Sequence, residues 1–212
     1  MDSLIGTLPD SWTQATFGEV CDILTGPSGA RLQLEARTSS NVPVIVPKDL
    51  QNNRIAVDGS AAVSPEVAEK LRRFTVTVGD IVCTRTGELG RLALVCEGQS
   101  GWLVGSACLR LRGRGMISTA YLIHYLSHPA VRDWISRNAT GSAIPSLNTK
   151  TLGSMPIVVP PATVQSVVAE VLGALDEKIA VHDRISRTTE MLRDSLLPLL
   201  LTGSTGTETA LP

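Results

Sequence analysis

The sequence predicts an α+β protein: a globular domain of short strands and helices, followed by a long C-terminal coiled-coil-like helix. Three observations carry this. Between residues 41 and 113, short stretches rich in β-branched residues alternate with glycine turns. Compact helical patterns, one opened by a serine and a proline, interrupt and follow them. From Thr163 to about Leu197 there is no proline, and apolar residues recur with a strict 4,3 spacing. Residues 1–161 are read as the globular domain, 162–203 as the long helix and 204–212 as a flexible tail.

In chain order, LPDSWTQATFGEVCDILTG (8–26) opens with a proline turn and a short helical pattern. PVIVP and RIAV flank the polar KDLQNNR, which reads as strand, exposed loop, strand. SPEVAEKLRR (64–73) reads as a helix capped by Ser64, with Pro65 in its first turn and Glu66 near the positive end of the dipole. Residues 74–95 and 102–113 read as strands with glycine turns at Gly79, Gly87, Gly90 and Gly105. Residues 118–138 read as helix, proline turn, helix; TGSAIPSLNT (140–149) is a small-residue loop, then a helical turn and the strand MPIVVPP.

The last element differs in kind. Val164, Val168, Val171, Leu175, Lys178, His182, Ile185, Thr189, Leu192 and Leu196 mark a seam that is apolar at both ends and polar in the middle. A helix of ~35 residues at ~1.5 Å rise spans ~50 Å, which favours projection and pairing with a partner helix. The alternative is two shorter helices broken near Gly173 or Asp183 and folded back on the core. Pro198 and Gly203 are expected to end the element.

Composition narrows the functional classes. The chain of 212 residues is 43% hydrophobic with a net charge of −1, so a buried core is expected and disorder is not. Aromatics at 3% give poor support to a stacking platform for single strands. No apolar run reaches the ~20 residues of a membrane span, and the N-terminus lacks a leader pattern; the expectation is a cytoplasmic protein. Cys21, Cys83, Cys96 and Cys108 have no metal-binding spacing and are expected to be buried thiols.

The charge is unevenly spread: net −5 over residues 1–69, +7 over 70–150 and −3 over 151–212. A basic middle segment, rich in arginine, suits phosphate and guanine contacts; the alternative is arginines dispersed in local ion pairs.

Enzyme constellations are missing. There is no phosphate loop, dinucleotide fingerprint, hydrolase elbow or zinc-protease motif, and Pro160-Pro161 lacks the polar and aromatic neighbours a base-flipping methyltransferase needs. His124 and His128 are four apart but lack an acidic partner. No catalytic residue, metal or cofactor is expected. What remains are three polar clusters: Lys48, Gln51, Asn52, Asn53 and Arg54; Thr84, Arg85, Thr86 and Arg91; and Ser142, Ser146, Asn148 and Lys150 beside Gly141. Amides and arginines read base edges, hydroxyls and arginines hold phosphates; taken singly, each cluster reads more readily as an ordinary polar loop.

Several blocks, in order, resemble a known family. LPDSWTQATFGEV (8–20), VPVIVPKDL (42–50), VGDIVCTRTGELGRLALV (78–95), YLIHYLSHPAVRDWI (121–135), GSAIPSLNTKTLGSMPIVVPP (141–161), then Gln165, VVAEVLGALDEKI (167–179) and LLTG (200–203) are similar to the specificity subunits of type I restriction–modification systems. The match is to a half-length form with one target-recognition domain, and it departs at PATVQ (161–165). The resemblance implies a globular domain that reads a half-site in double-stranded DNA and a spacer helix that also holds a DNA methyltransferase subunit, with a restriction or translocase subunit as a further partner. It implies no chemistry of its own. Two copies could pair helices antiparallel through Val164, Val168, Val171, Leu175, Ile185, Leu192 and Leu196, making a homodimer that reads an inverted-repeat split site; pairing with a different half-subunit is the alternative. A coiled-coil scaffold that reads no bases is the reading from another class.

Overall fold

A computed structural model describes residues 2–56 and 61–201. Its elements are β1 (Asp2–Ser3), β2 (Gly6–Thr7), β3 (Thr13–Thr16), α1 (Phe17–Val20), β4 (Cys21–Thr25), α2 (Gly29–Leu32), β5 (Glu35–Ala36), β6 (Val42–Ile45), β7 (Leu50–Gln51), β8 (Arg54–Ile55), β9 (Ala61–Val63), α3 (Pro65–Lys70), β10 (Ile81–Thr84), β11 (Leu92–Leu94), β12 (Leu103–Val104), β13 (Cys108–Gly113), α4 (Thr119–Ser127), α5 (Pro129–Asn138), α6 (Thr149–Gly153), β14 (Pro156–Val159) and α7 (Ala162–Leu201). The expected α+β class with a long C-terminal helix is what the chain adopts. Val57, at the end of the RIAV stretch, Gly203, expected to end the last helix, and the tail at 204–212 lie outside the described residues.

The chain divides into two units, Met1–Gly173 and Ala174–Pro212. The first is built on a four-stranded sheet in the order β11-β10-β13-β4, antiparallel throughout. Strand β10 lies inside this sheet and is buried along its whole length, which is why IVCT lacks the polar alternation of a half-exposed strand. The pleat sends Ile81 and Cys83 to one face and Val82 to the other. On the first face lie α4, α5 and α6, with Leu122, Leu126, Val131 and Leu152 in the core. On the second lies the sheet β12-β6-β9-β5, with Phe74, Val44, Ile45 and Val104.

Two glycines let the sheets meet backbone to backbone, each extending the ladder of its own sheet. Gly26 donates its N–H to the Cys108 carbonyl (3.0 Å), and Gly105 donates to the Ile45 carbonyl (2.9 Å). A Cβ on Gly105 would stand 2.5 Å from the Ile45 oxygen, and one on Gly26 would overlap the Gly105 oxygen. Gly105 was expected as a turn residue. Close backbone approach is what demands it, while Gly79, Gly87 and Gly90 have the positive φ of turn glycines.

Helix starts follow the expected chemistry. The Ser64 hydroxyl accepts the Val67 N–H, and Pro65 follows at the first helical position. His128 ends α4 and caps α5, its Nδ1 accepting the Ala130 N–H (3.2 Å). Cys96 departs from expectation: it is exposed, in the turn after β11, whereas Cys21, Cys83 and Cys108 are buried.

Helix α7 has 40 residues and is unbroken at Gly173 and Asp183. It also runs through Pro198, which was expected to end it: the ring keeps a helical φ, and the helix forgoes the N–H bond to the carbonyl four residues earlier. Its first turn is pinned by the buried Gln165, whose Oε1 accepts the Ser118 N–H (2.7 Å) and whose Nε2 donates to the Pro160 carbonyl (2.9 Å). Val168 packs against the first core and Val164 is half-buried. Further along, Val171, Leu175, Ile185, Leu192 and Leu196 are exposed. No helix among the described residues is long and apolar enough to cross a membrane.

Candidate functional site

The first polar cluster forms a tight hairpin. Leu50 pairs with Ile55 and Gln51 with Arg54, leaving a two-residue turn in which Asn52 (φ 48°) and Asn53 (φ 59°) are both left-handed. That is the primed turn that matches strand twist, and asparagine tolerates its backbone. Asn53 is further committed: its carbonyl accepts the Leu94 N–H (3.0 Å) and its Oδ1 accepts the Ser127 hydroxyl (3.2 Å), which fastens the hairpin to β11 and α4. Gln51 donates to the Lys48 carbonyl (3.1 Å). Lys48, Gln51 and Asn52 are exposed, and Asn53 and Arg54 are half-buried.

The second cluster lies on the turn between β10 and β11. Thr84 is 2% exposed, and its hydroxyl donates to the Glu88 carbonyl (2.8 Å) while its N–H bonds to the Arg91 carbonyl (2.9 Å). It shapes the turn from inside and is not presented to solvent. Arg91 is ion-paired with Glu88, three residues earlier, which holds the Glu88 carboxyl below the usual carboxylate range. Arg85 is half-buried; its Nε is enclosed and makes no hydrogen bond. A buried donor left unmade costs about 1–3 kcal/mol, and the Nε of Arg110 is enclosed in the same way.

The third cluster meets the second. Thr140 and Ser146 exchange backbone hydrogen bonds (2.9 and 2.7 Å), closing the loop on itself around Gly141 (φ 98°). The Gly87 N–H donates to the Pro145 carbonyl (3.0 Å) and the Leu147 N–H to the Arg85 carbonyl (2.9 Å), and Thr86 pairs with Ser146. Arg85, Thr86 and Ser146 are thus neighbours on one surface, from segments sixty residues apart in sequence. Asn148 caps α6 by accepting the Thr151 N–H (2.7 Å). Ser142 and Lys150 are exposed.

Three residues on this surface gave no signal in the sequence. Arg132 of α5 donates to the Gly90 carbonyl (3.1 Å). Glu88 is the acid of the turn. Ile144, at the tip of the closed loop, is 66% exposed. Glu88 and Ile144 lie within the turn and the loop themselves; Arg132 reaches the turn from a distant segment.

Five of the eleven basic residues between 70 and 150 are ion-paired, three of them with a near neighbour in sequence. Arg72 meets Glu69, Arg91 meets Glu88, Arg112 meets Asp80, Arg114 meets Asp22 and Arg137 meets Asp133. Arg112 and buried Asp80 form a two-pronged bond (2.7 Å each), and Arg110 donates to the Arg73 and Thr75 carbonyls. Those two are structural. The exposed pairs contribute roughly 0–1 kcal/mol and are readily exchanged for phosphates. No group of three His, Cys, Asp or Glu among the described residues is placed to hold a metal ion.

The family model described as type I restriction modification DNA specificity domain matches residues 9–190. Among solved structures, the type I restriction-modification S subunit from M. genitalium is 15% identical, with 97% of this chain and 50% of that chain covered at a TM-score of 0.67. The HsdS subunit from Thermoanaerobacter tengcongensis is 18% identical, with 92% and 45% covered at 0.57. A chain from a study of complex assembly in the type I R-M system is 19% identical, with 90% and 45% covered at 0.62. This chain spans about half the length of the structures it matches.

Proposed function

Since the chain belongs to the family of type I restriction-modification DNA specificity domains, we propose that it reads a short half-site in double-stranded DNA and delivers a methyltransferase subunit to it, without chemistry of its own. The observation that carries this is the interlocked surface of turn 85–91 and loop 140–148. There the half-buried Arg85 and the Thr86 and Ser142 hydroxyls lie on backbone held by reciprocal hydrogen bonds, and the exposed Lys150 follows in the first turn of α6. Such groups suit phosphates and base edges, and pre-pairing the two segments lowers the ordering cost of binding. Lys48, Gln51 and Asn52, exposed on or beside the hairpin that is fastened to β11, offer further groups of this kind; Asn53, Thr84 and Asn148 shape backbone.

The exposed seam of α7 supports a homodimer. Val171, Leu175, Ile185, Leu192 and Leu196 put apolar surface in water along one helix, and a second copy of the same helix, running antiparallel, covers it. The two-fold then sets two half-sites in inverted repeat. The methyltransferase subunit, and with it a restriction or translocase subunit, assembles on this spacer. The free thiols fit a reducing cytoplasm.

The test is selection of bound duplexes from a random library by the full chain, followed by salt titration on the selected site. An enriched half-site is expected. Arg85→Ala and Lys150→Ala should each lower the slope of log affinity against log salt by about 1, one phosphate contact apiece. Binding with no enriched sequence would overturn base reading in favour of a scaffold.

A further inference from the structure

The turn between β10 and β11 presents one carboxylate on a surface otherwise made of arginines, hydroxyls and amides. The Glu88 side chain is 70% exposed, bonded to Arg91 and within the field of Arg132. The fold has no need of that carboxylate. Residue 88 is held through its carbonyl, which accepts the Thr84 hydroxyl, and the turn through the Arg91 and Gly90 carbonyls, which accept the Thr84 N–H and an Arg132 N–H. An exposed pair three residues apart adds little to stability.

On DNA a carboxylate is repelled by the phosphates whatever the sequence, so it contributes only where it meets a hydrogen-bond donor on a base. The major groove offers two, the cytosine N4 and adenine N6 amino groups. Arg91 decides between them. Only one of its five N–H groups is bonded to Glu88, so the rest can reach the paired acceptors O6 and N7 that guanine alone presents. Resting on the DNA-reading function above, we propose that Glu88 and Arg91 together read one C·G base pair, Glu88 accepting from the cytosine amino group and Arg91 donating to the guanine. Glu88 is then a specificity-determining residue. It lowers affinity for DNA in general and restores it at that pair.

The test is the same selection run with the full-length wild type, Glu88→Ala and Glu88→Gln, each checked for folding by circular dichroism. The wild-type half-site is expected to hold a fixed C·G position. Glu88→Ala should lose about tenfold of discrimination at that position alone while binding unrelated duplex more tightly, because a repelling charge is gone. Glu88→Gln should move the preference from cytosine toward adenine, whose N6 and N7 suit an amide. A wild-type half-site without a C·G pair, or an unchanged half-site in Glu88→Ala, overturns the inference and leaves DNA reading intact. A wild type that enriches nothing overturns DNA reading itself.

Discussion

Asn53, Thr84 and Asn148 show how one residue type serves two ends. The sequence offers each as a group for DNA, and the type is right for that; in the fold each is spent on backbone. Residue identity is legible from sequence, but the direction of a side chain depends on pairing that the sequence does not display. Glycine is a sharper case. Gly26 and Gly105 stand where three backbone segments meet, and Gly26 carries no left-handed φ to betray its role. Gly26→Ala drives a methyl into the Gly105 carbonyl and is expected to cost about 2 kcal/mol or more, since backbone must move to admit it. Denaturant unfolding measures this; a midpoint equal to that of the wild type would mean the junction is looser than the structure shows.

Elements with local signals were readable. The 4,3 repeat announces α7, and Ser64-Pro65 announces α3. Of the hairpin, β8 was read at the start of RIAV, but β7 and the tight turn fell in the expected loop, because a two-residue strand carries no periodicity and Asn-Asn reads as any polar loop. In α7 only the start of the apolar seam is covered within the chain: Val168 packs against the first core, while Leu175 and Ile185 remain exposed. Replacing Leu175 by aspartate should therefore turn a dimer into a monomer, with the thermal unfolding of the globular domain little changed. Light scattering reads the first and a melting curve the second. A monomeric wild type at micromolar concentration, or a Leu175→Asp chain that stays dimeric, would refute pairing through this seam.

At the scale of the molecule, composition gave the class and the charge map gave the basic middle, yet neither could show that a sheet would have both faces covered. Three thiols are enclosed by that arrangement. Burial pushes Cys21 and Cys83 up to about 12 and raises Cys108 as well, so none is a thiolate near neutral pH. Cys96 is the exposed one of the four. A chromogenic disulfide reagent at pH 8 should titrate one thiol in the native protein and four in denaturant. A second thiol reacting as fast as the first would mean that the sheet opens.

The closed loop at 140–148 is laced to the turn at 85–91 by backbone hydrogen bonds from Gly87 and Leu147. For evolution this is a linkage between two stretches of gene. A new target cannot be acquired by rewriting one segment at will, because each is the template on which the other is laid. Variants that switch target should carry paired changes, and a chimera that exchanges both segments should outperform one that exchanges either alone.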